Sequence, residues 1–219
     1  MTRVQIASLV LAPALAVAGL ASAGRFGAPR ADVLPPAVSI AEGLAEDIQA
    51  DLEARNWTMA ETRIAELQKN RLRLRVLLQA PTIAGYQVAL DSLRSQLARH
   101  DQPAALQSAN RMSREIVHIM TNYDLKIPVQ VSYMDVAGRD AKYAAEGGRW
   151  EEAVAAGAEL RVNYVAVQSH VASKNPTLDR QVRQQLNELD AAVTERARTR
   201  VGAIATALLE NVDLVERTY

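Results

Sequence analysis

Apolar residues recur at helical spacing along most of this chain. Ala41, Leu44, Ala45, Ile48 and Leu52 mark one face of a segment from about Ile40 to Ala54. Ala60, Ile64, Leu67, Leu74 and Leu78 do the same from Trp57 to about Ala80. Tyr86, Leu90, Leu93 and Leu97 predict a third helix over about Ala84–Arg99. Met112, Ile116, Ile119, Met120 and Tyr123 predict a fourth over about Ala104–Asn122.

The same plan then returns. Tyr133–Glu146 and Trp150 to about Ala172 read as helices, the second with Ala153, Leu160, Tyr164, Val167 and Val171 on its apolar face. Gly157 shares that face and offers a neighbouring helix close approach. Asp179 to about Asn211 reads as one long helix or as two broken near Asp190. Val201, Ile204, Leu208, Val212 and Val215 supply the stripe at the end.

Breaks and caps fall between these stripes. Ser39, with Glu42 three residues on, has the form of a capping box, and Ser132 is placed to cap the fifth helix. Asn56 breaks or caps, Pro81 ends the second helix, and Asn175-Pro176 ends the sixth. Gly147-Gly148 makes a turn.

The return of the plan extends to identities. Pro35, Val38, Ser39, Asp47, Trp57, Ala60, Leu67 and Asn70 match Pro128, Val131, Ser132, Asp140, Trp150, Ala153, Leu160 and Asn163, each 93 positions on. The chain has two tryptophans, and they correspond. In the second hairpin of each half the register is weaker. There Asp190 answers Asp101 at a shift of 89, which predicts the break near Asp190. The expectation is an all-α, duplicated antiparallel helical bundle of seven or eight helices.

The N-terminus alters this picture. Arg3, an apolar run over Ile6–Leu20 and Ala21-Ser22-Ala23 form a Sec-type signal peptide over residues 1–23. Residues 24–37, rich in Gly and Pro, read as a flexible arm. The first helical unit then covers 38–124 and the second 125–219, either packed together as one domain or apart. The expected location is the periplasm or the exterior. No transmembrane segment is expected in the mature chain, because the apolar run belongs to the leader.

Composition narrows the chemistry. There is no cysteine, so disulfides, thiolates and c-type haem are excluded. Lys plus Arg and Asp plus Glu are equal at 25 each, which gives no electrostatic case for nucleic acid. No nucleophile stands with a base at recognisable spacing, and no glycine-rich phosphate cradle occurs.

Two kinds of site remain. If the halves are symmetric, Trp57 and Trp150 plug the hairpin mouths or flank a shared cleft. Asn70, Asn163, Arg71 and Tyr164 are its candidate lining. Arg71 lies within an apolar stripe, so its stem is expected to cross apolar surface to reach water. The alternative is a copper or iron site. Glu115 and His118 show one E-x-x-H spacing, and Met120, His170, Met112 and Met134 offer soft or imidazole ligands. Helical rotation turns Glu115 and His118 away from the Met112/Ile116 face, which argues against an inward metal.

The expected function is that of an exported, non-catalytic binding or interaction protein that docks a small molecule or protein segment on helix faces, without a cofactor. A periplasmic metal-binding bundle and an enzyme of unknown class are the alternatives.

Overall fold

Eight helices and no sheet make up residues 33–78 and 80–219, which the computed structural model describes. They are α1 (Pro36–Glu53), α2 (Trp57–Leu77), α3 (Ala80–Leu97), α4 (Gln102–Met120), α5 (Val129–Glu146), α6 (Trp150–Lys174), α7 (Pro176–Thr194) and α8 (Arg198–Glu216). The expected leader, residues 1–23, and residues 24–32 of the expected arm lie outside the described residues. No helix among the described residues is long and apolar enough to cross a membrane.

Several helix starts differ from expectation, and proline explains them. Ser39 and Ser132 cap nothing. They sit inside α1 and α5, whose N-caps are Pro35 and Pro128. The Pro35 carbonyl already accepts from the Val38 amide at 2.8 Å, and Pro128 from Val131 at 2.9 Å. In α1, Pro36 also presets φ and lacks an amide that a first turn would leave unpaired anyway, and each helix starts about a turn early. The last two residues of the expected arm therefore belong to α1. Likewise Pro81 does not end α2. That helix stops at Leu77, Leu78 is extended, and Pro81 lies in the first turn of α3. Side-chain caps occur where Asn56, Asp101 and Asn175 accept from the amides of Met59, Ala104 and Leu178.

The segment from Asp179 to Asn211 is two helices, but the break lies at 195–197 and not near Asp190. Its cause is a turn used four times. Arg55, His100, Gly148 and Arg196 all adopt positive φ, between 52° and 72°. After each, the next amide reaches back five residues: Asn56 to Asp51, Asp101 to Gln96, Arg149 to Ala144, and Ala197 to Ala192. This is the Schellman closure of a helix. Only one of the four uses glycine. The other three hold a left-handed side chain at a cost of about 1–2 kcal/mol each, so a scan for glycine or proline misses them.

Each set of four helices packs in a ring. α1 touches α2 and α4, and α3 touches α2 and α4; α5 touches α6 and α8, and α7 touches α6 and α8. The rings meet where α4 packs on α5. Each has its own apolar core, although Val136 and Tyr143 of α5 belong to the first. Where α5 meets α8, Gly138 has no room for a side chain: an added Cβ would lie 2.9 Å from Leu209.

The buried positions of the two rings correspond. Ala60, Leu67 and Leu74 are buried, as are Ala153, Leu160 and Val167, 93 positions later. Leu90, Leu93, Met112 and Ile116 are buried, as are Leu186, Leu189, Leu208 and Val212, 96 positions later. The offset in the second hairpin is thus 96 and not 89. The shift from 93 to 96 arises between α2 and α7, where α6 has 25 residues against 21 in α2.

Polar groups lock the junction of α4 and α5. Asn110 of α4 is fully buried and donates from Nδ2 to the Val136 carbonyl at 2.9 Å and to Asp140 at 2.6 Å. One turn on, Arg114 donates to Asp140 at 2.7 Å and to both Glu159 oxygens at 2.5 and 3.0 Å, joining α4 to α5 and α6. Replacing Arg114 with Ala leaves two half-buried carboxylates facing each other unpaired. Because they keep partial access to water, the expected loss is about 1–2 kcal/mol, read as a lower midpoint in urea unfolding. Asp140→Asn in the Arg114→Ala background should recover part of it.

Candidate functional site

The residues singled out as a paired-tryptophan cleft are dispersed. Trp57 packs against the first core and Trp150 against the second, and no described cleft is lined by both. The Trp57 ring stacks on His100 at 4.7 Å, nearly parallel. Trp150 shares a shallow depression with Arg196, 96 positions after His100. Each tryptophan therefore stands at the mouth of its own bundle, against the turn of that bundle's other hairpin.

Of the other four residues, three tie helices together and Asn163 does not. Asn70 is buried and donates to the Ala37 carbonyl of α1 at 2.6 Å, while Asn163 bonds the Glu159 carbonyl of its own helix at 2.9 Å. Arg71 donates to Gln87 of α3. Tyr164, at the corresponding place in α6, is buried and donates to Asp179 of α7 at 2.9 Å.

Of the metal candidates, Glu115 and His118 line one open depression with Thr82, Arg114 and Tyr133, and the others lie elsewhere. Among the described residues no group of three or more His, Cys, Asp or Glu is placed to hold a metal ion. His118 is exposed on α4, while Met120 is buried in the first core. Glu115 lies over Gly85 of α3, where an added Cβ would stand 2.3 Å from its carboxylate. His170 stacks on Tyr219 at 3.9 Å, with Nε2 3.0 Å from the Thr218 carbonyl. Met112 and Met134 are buried in different cores.

A different place gathers charge. Where the two rings meet, α1, α4, α5 and α8 enclose a cleft of about 220 Å³. Drug-sized ligands take clefts of about 300–1,000 Å³, so this one suits something smaller. Helix packing runs α1 on α4, α4 on α5 and α5 on α8. The outer pair of that row are the walls and the inner pair the floor. The floor offers Ile116 and Val117 from α4 and Val136 from α5, with Ala45 at the foot of α1. The hydroxyls of Ser113 and Ser132 are also on the lining.

The walls are acidic. Glu42 and Glu46, one turn apart, come from α1; Asp213 and Glu216, one turn apart, come from α8. α5 adds Asp135 and Arg139, which pair with each other. Five carboxylates thus stand against one guanidinium. Loss of water pushes the Glu42 carboxyl up to about 7, and the charges of Glu46 and Glu216 push it the same way. Desolvation also raises Glu46; Arg139 pulls it back, and Asp213 and Asp47 push it up again. Glu216 is raised by desolvation, then by Asp213 and Glu46. The acids of the two walls therefore act on each other across the gap.

Behind the floor lies an unsatisfied acceptor. Gln49, on the face of α1 that carries Ala45 and Glu46, is 3% exposed. Its Nε2 donates at 2.8 Å to Ser113, a lining residue, which places the carboxamide directly behind the cleft lining. Its Oε1 is buried and accepts nothing.

No family model, no curated protein and no solved structure matches this chain. What the site can do is therefore argued from its own geometry. Sequence reasoning missed it because its acids look like ordinary solvated flanks of amphipathic helices. Glu42 drew notice only as half of a capping box. No local signal reports that α1 and α8, at opposite ends of the chain, face one another.

The cleft has a consequence for stability. Glu42 holds its proton more tightly in the folded chain than in the unfolded one. Between the ordinary carboxylate range and pH 7 the unfolded chain therefore binds fewer protons, and stability falls as pH rises. Glu42→Gln should raise the unfolding temperature at pH 8, change it little at pH 4, and flatten the profile between. Thermal unfolding across that range is the measurement.

Proposed function

We propose that this chain is an exported, non-catalytic binding protein built from two copies of one four-helix unit, and that it holds a small organic cation in the cleft between them. The observation that carries the reading is the cleft itself: five carboxylates and one guanidinium around an apolar floor. Like charges facing one another across a gap are destabilising unless something positive comes between them. An organic cation supplies the charge and covers the floor with its carbon skeleton.

The duplication is supported by the matching buried positions, by the repeated ring of contacts and by the use of one turn in all four hairpins. Export is supported by the charged start, apolar run and Ala21-Ser22-Ala23 of the N-terminus. If that reading is right, protein recovered from the periplasmic fraction begins at Gly24, which N-terminal mass analysis reads directly. A chain still starting at Met1 would refute cleavage.

Binding is tested by calorimetric titration at pH 8 and low salt with small ammonium ions, arginine among them, against carboxylates of the same size. Ammonium ions are expected to bind and carboxylates not. Ser132→Arg places a tethered guanidinium among the acids. It should raise the unfolding temperature at pH 8 and weaken cation binding at least tenfold. Equal binding of both charge types would sink the proposal.

A further inference from the structure

We propose that the cleft recognises a linear aliphatic diamine, lying along the apolar floor with one ammonium group at each level of facing carboxylates. This rests on the reading of the cleft as a cation site and adds the form of the cation.

The argument begins with how the acids are arranged. A point charge such as a divalent metal needs several oxygens converging at about 2.0–2.6 Å. The cleft acids do not converge in this way, and no metal-holding group occurs among the described residues. They form two levels. Glu42 and Glu46 are four residues apart on α1, and Asp213 and Glu216 three apart on α8. Residues at these spacings stand about 5–6 Å apart along a helix. Each wall thus offers two negative charges separated by one helical turn. A chain of four methylenes between two ammonium groups covers the same distance.

The floor fits the rest of such a molecule. Ile116, Val117, Val136 and Ala45 present carbon to the methylenes. A small hydrated ion would leave that surface uncovered, and a bulky ring would exceed the space. A polar group at the inner end supplies an independent observation. The buried Gln49 carboxamide points at Ser113 and retains an unpaired Oε1. Ser113 donates at 3.4 Å to the Ala109 carbonyl of its own helix. The Ser113 hydroxyl accepts from Gln49 and keeps a second lone pair, which an ammonium group at this end can use.

Every charged group that faces Glu42 has a place in the scheme. On its own helix there is Glu46, with Asp47 beside it. On α8 there are Glu216 and Asp213, and on α5 Arg139 paired with Asp135; α4 contributes no charge to the lining. A diamine adds two positive charges to this set and favours ionised Glu42. Binding therefore drives off the proton that Glu42 holds in the empty cleft, and affinity falls as pH falls below 7.

The test compares 1,4-diaminobutane, 1-aminobutane and 1,4-butanediol by calorimetry on the purified protein at pH 8 and low salt. The diamine is expected to bind at least tenfold more tightly than the monoamine, and the diol not at all. Lowering the pH to 5.5 should weaken the diamine several-fold and release heat that depends on the buffer, the mark of a displaced proton. Glu46→Gln combined with Asp213→Asn removes one charge from each wall and should cost at least tenfold. Unfolding temperature is measured alongside, and Glu61→Gln on the outer face of α2 serves as the control that changes nothing. Equal affinity for diamine and monoamine overturns the two-ended site but leaves the cation reading standing. Diamine binding that survives in the folded double variant places the ligand elsewhere and overturns it too. No binding of any amine to the folded protein overturns both.

Discussion

A single buried amide fixes how the two halves of the protein meet. Asn110 is completely enclosed between α4 and α5, and its Nδ2 donates to a main-chain carbonyl in the middle of α5 and to Asp140 one turn along. A buried amide without partners costs about 1–3 kcal/mol. Sliding α5 by one turn along α4 would strand that donor, whereas sliding two apolar helix faces costs far less. The register of the junction is therefore set by polar chemistry, and Arg114 extends the same lock to α6. The lock is incomplete: Asn110 Oδ1, at this junction, accepts nothing.

The cleft follows from that register. α1 is held by α2 and α4, and α8 by α5 and α7, so neither is free to approach the other. The gap between them persists because the helices on which they rest are locked. Had stability been the only constraint, the facing positions would be expected to carry opposite charges or apolar groups that close the gap. Four of them carry carboxylates instead, and the one guanidinium nearby is tied to Asp135. Local departures from folding consistency concentrate at functional places. Here the departure coincides with the enclosed space between the bundles.

The sequence made the helical faces easy to see and their ends harder. Leu67, Leu93, Ile116, Leu160 and Val212 were legible as core because a period of 3.6 residues leaves few other places for them. Helix starts were misread at Ser39, Ser132 and Pro81, where proline geometry competed with side-chain capping and prevailed. The α7–α8 break was misplaced because Arg196 takes a left-handed conformation that only tertiary packing sustains. Pairwise identities carry the proposed correspondence of the first hairpins. The second hairpin shares its pattern of burial more than its letters, so its offset emerged only from the buried positions. The candidate cleft was not legible at all. Trp57 and Trp150 attracted attention by rarity, whereas Glu46 and Asp213 matter by position, and position depends on the α4–α5 junction.

The proposed duplication also accounts for why there is one cleft and not two. Its lining draws on the same faces twice: Glu42 and Glu46 of α1 correspond to Asp135 and Arg139 of α5, and Val117 of α4 to Asp213 of α8. The site thus lies where a face of the first unit meets its own counterpart in the second. A lone unit has the faces but nothing to oppose them. The charge of the cleft then depends on where the copies diverged. Glu46 has become Arg139 at one such position, and Val117 has become Asp213 at another, if the first copy is taken as the reference. The first exchange removes two negative charges from the α5 edge, because Arg139 replaces a carboxylate and neutralises Asp135. The second adds a carboxylate opposite Glu46. Glu216 does the same where the first copy has Met120, so Asp213 and Glu216 together turn an edge of shared architecture into a two-sided acidic site.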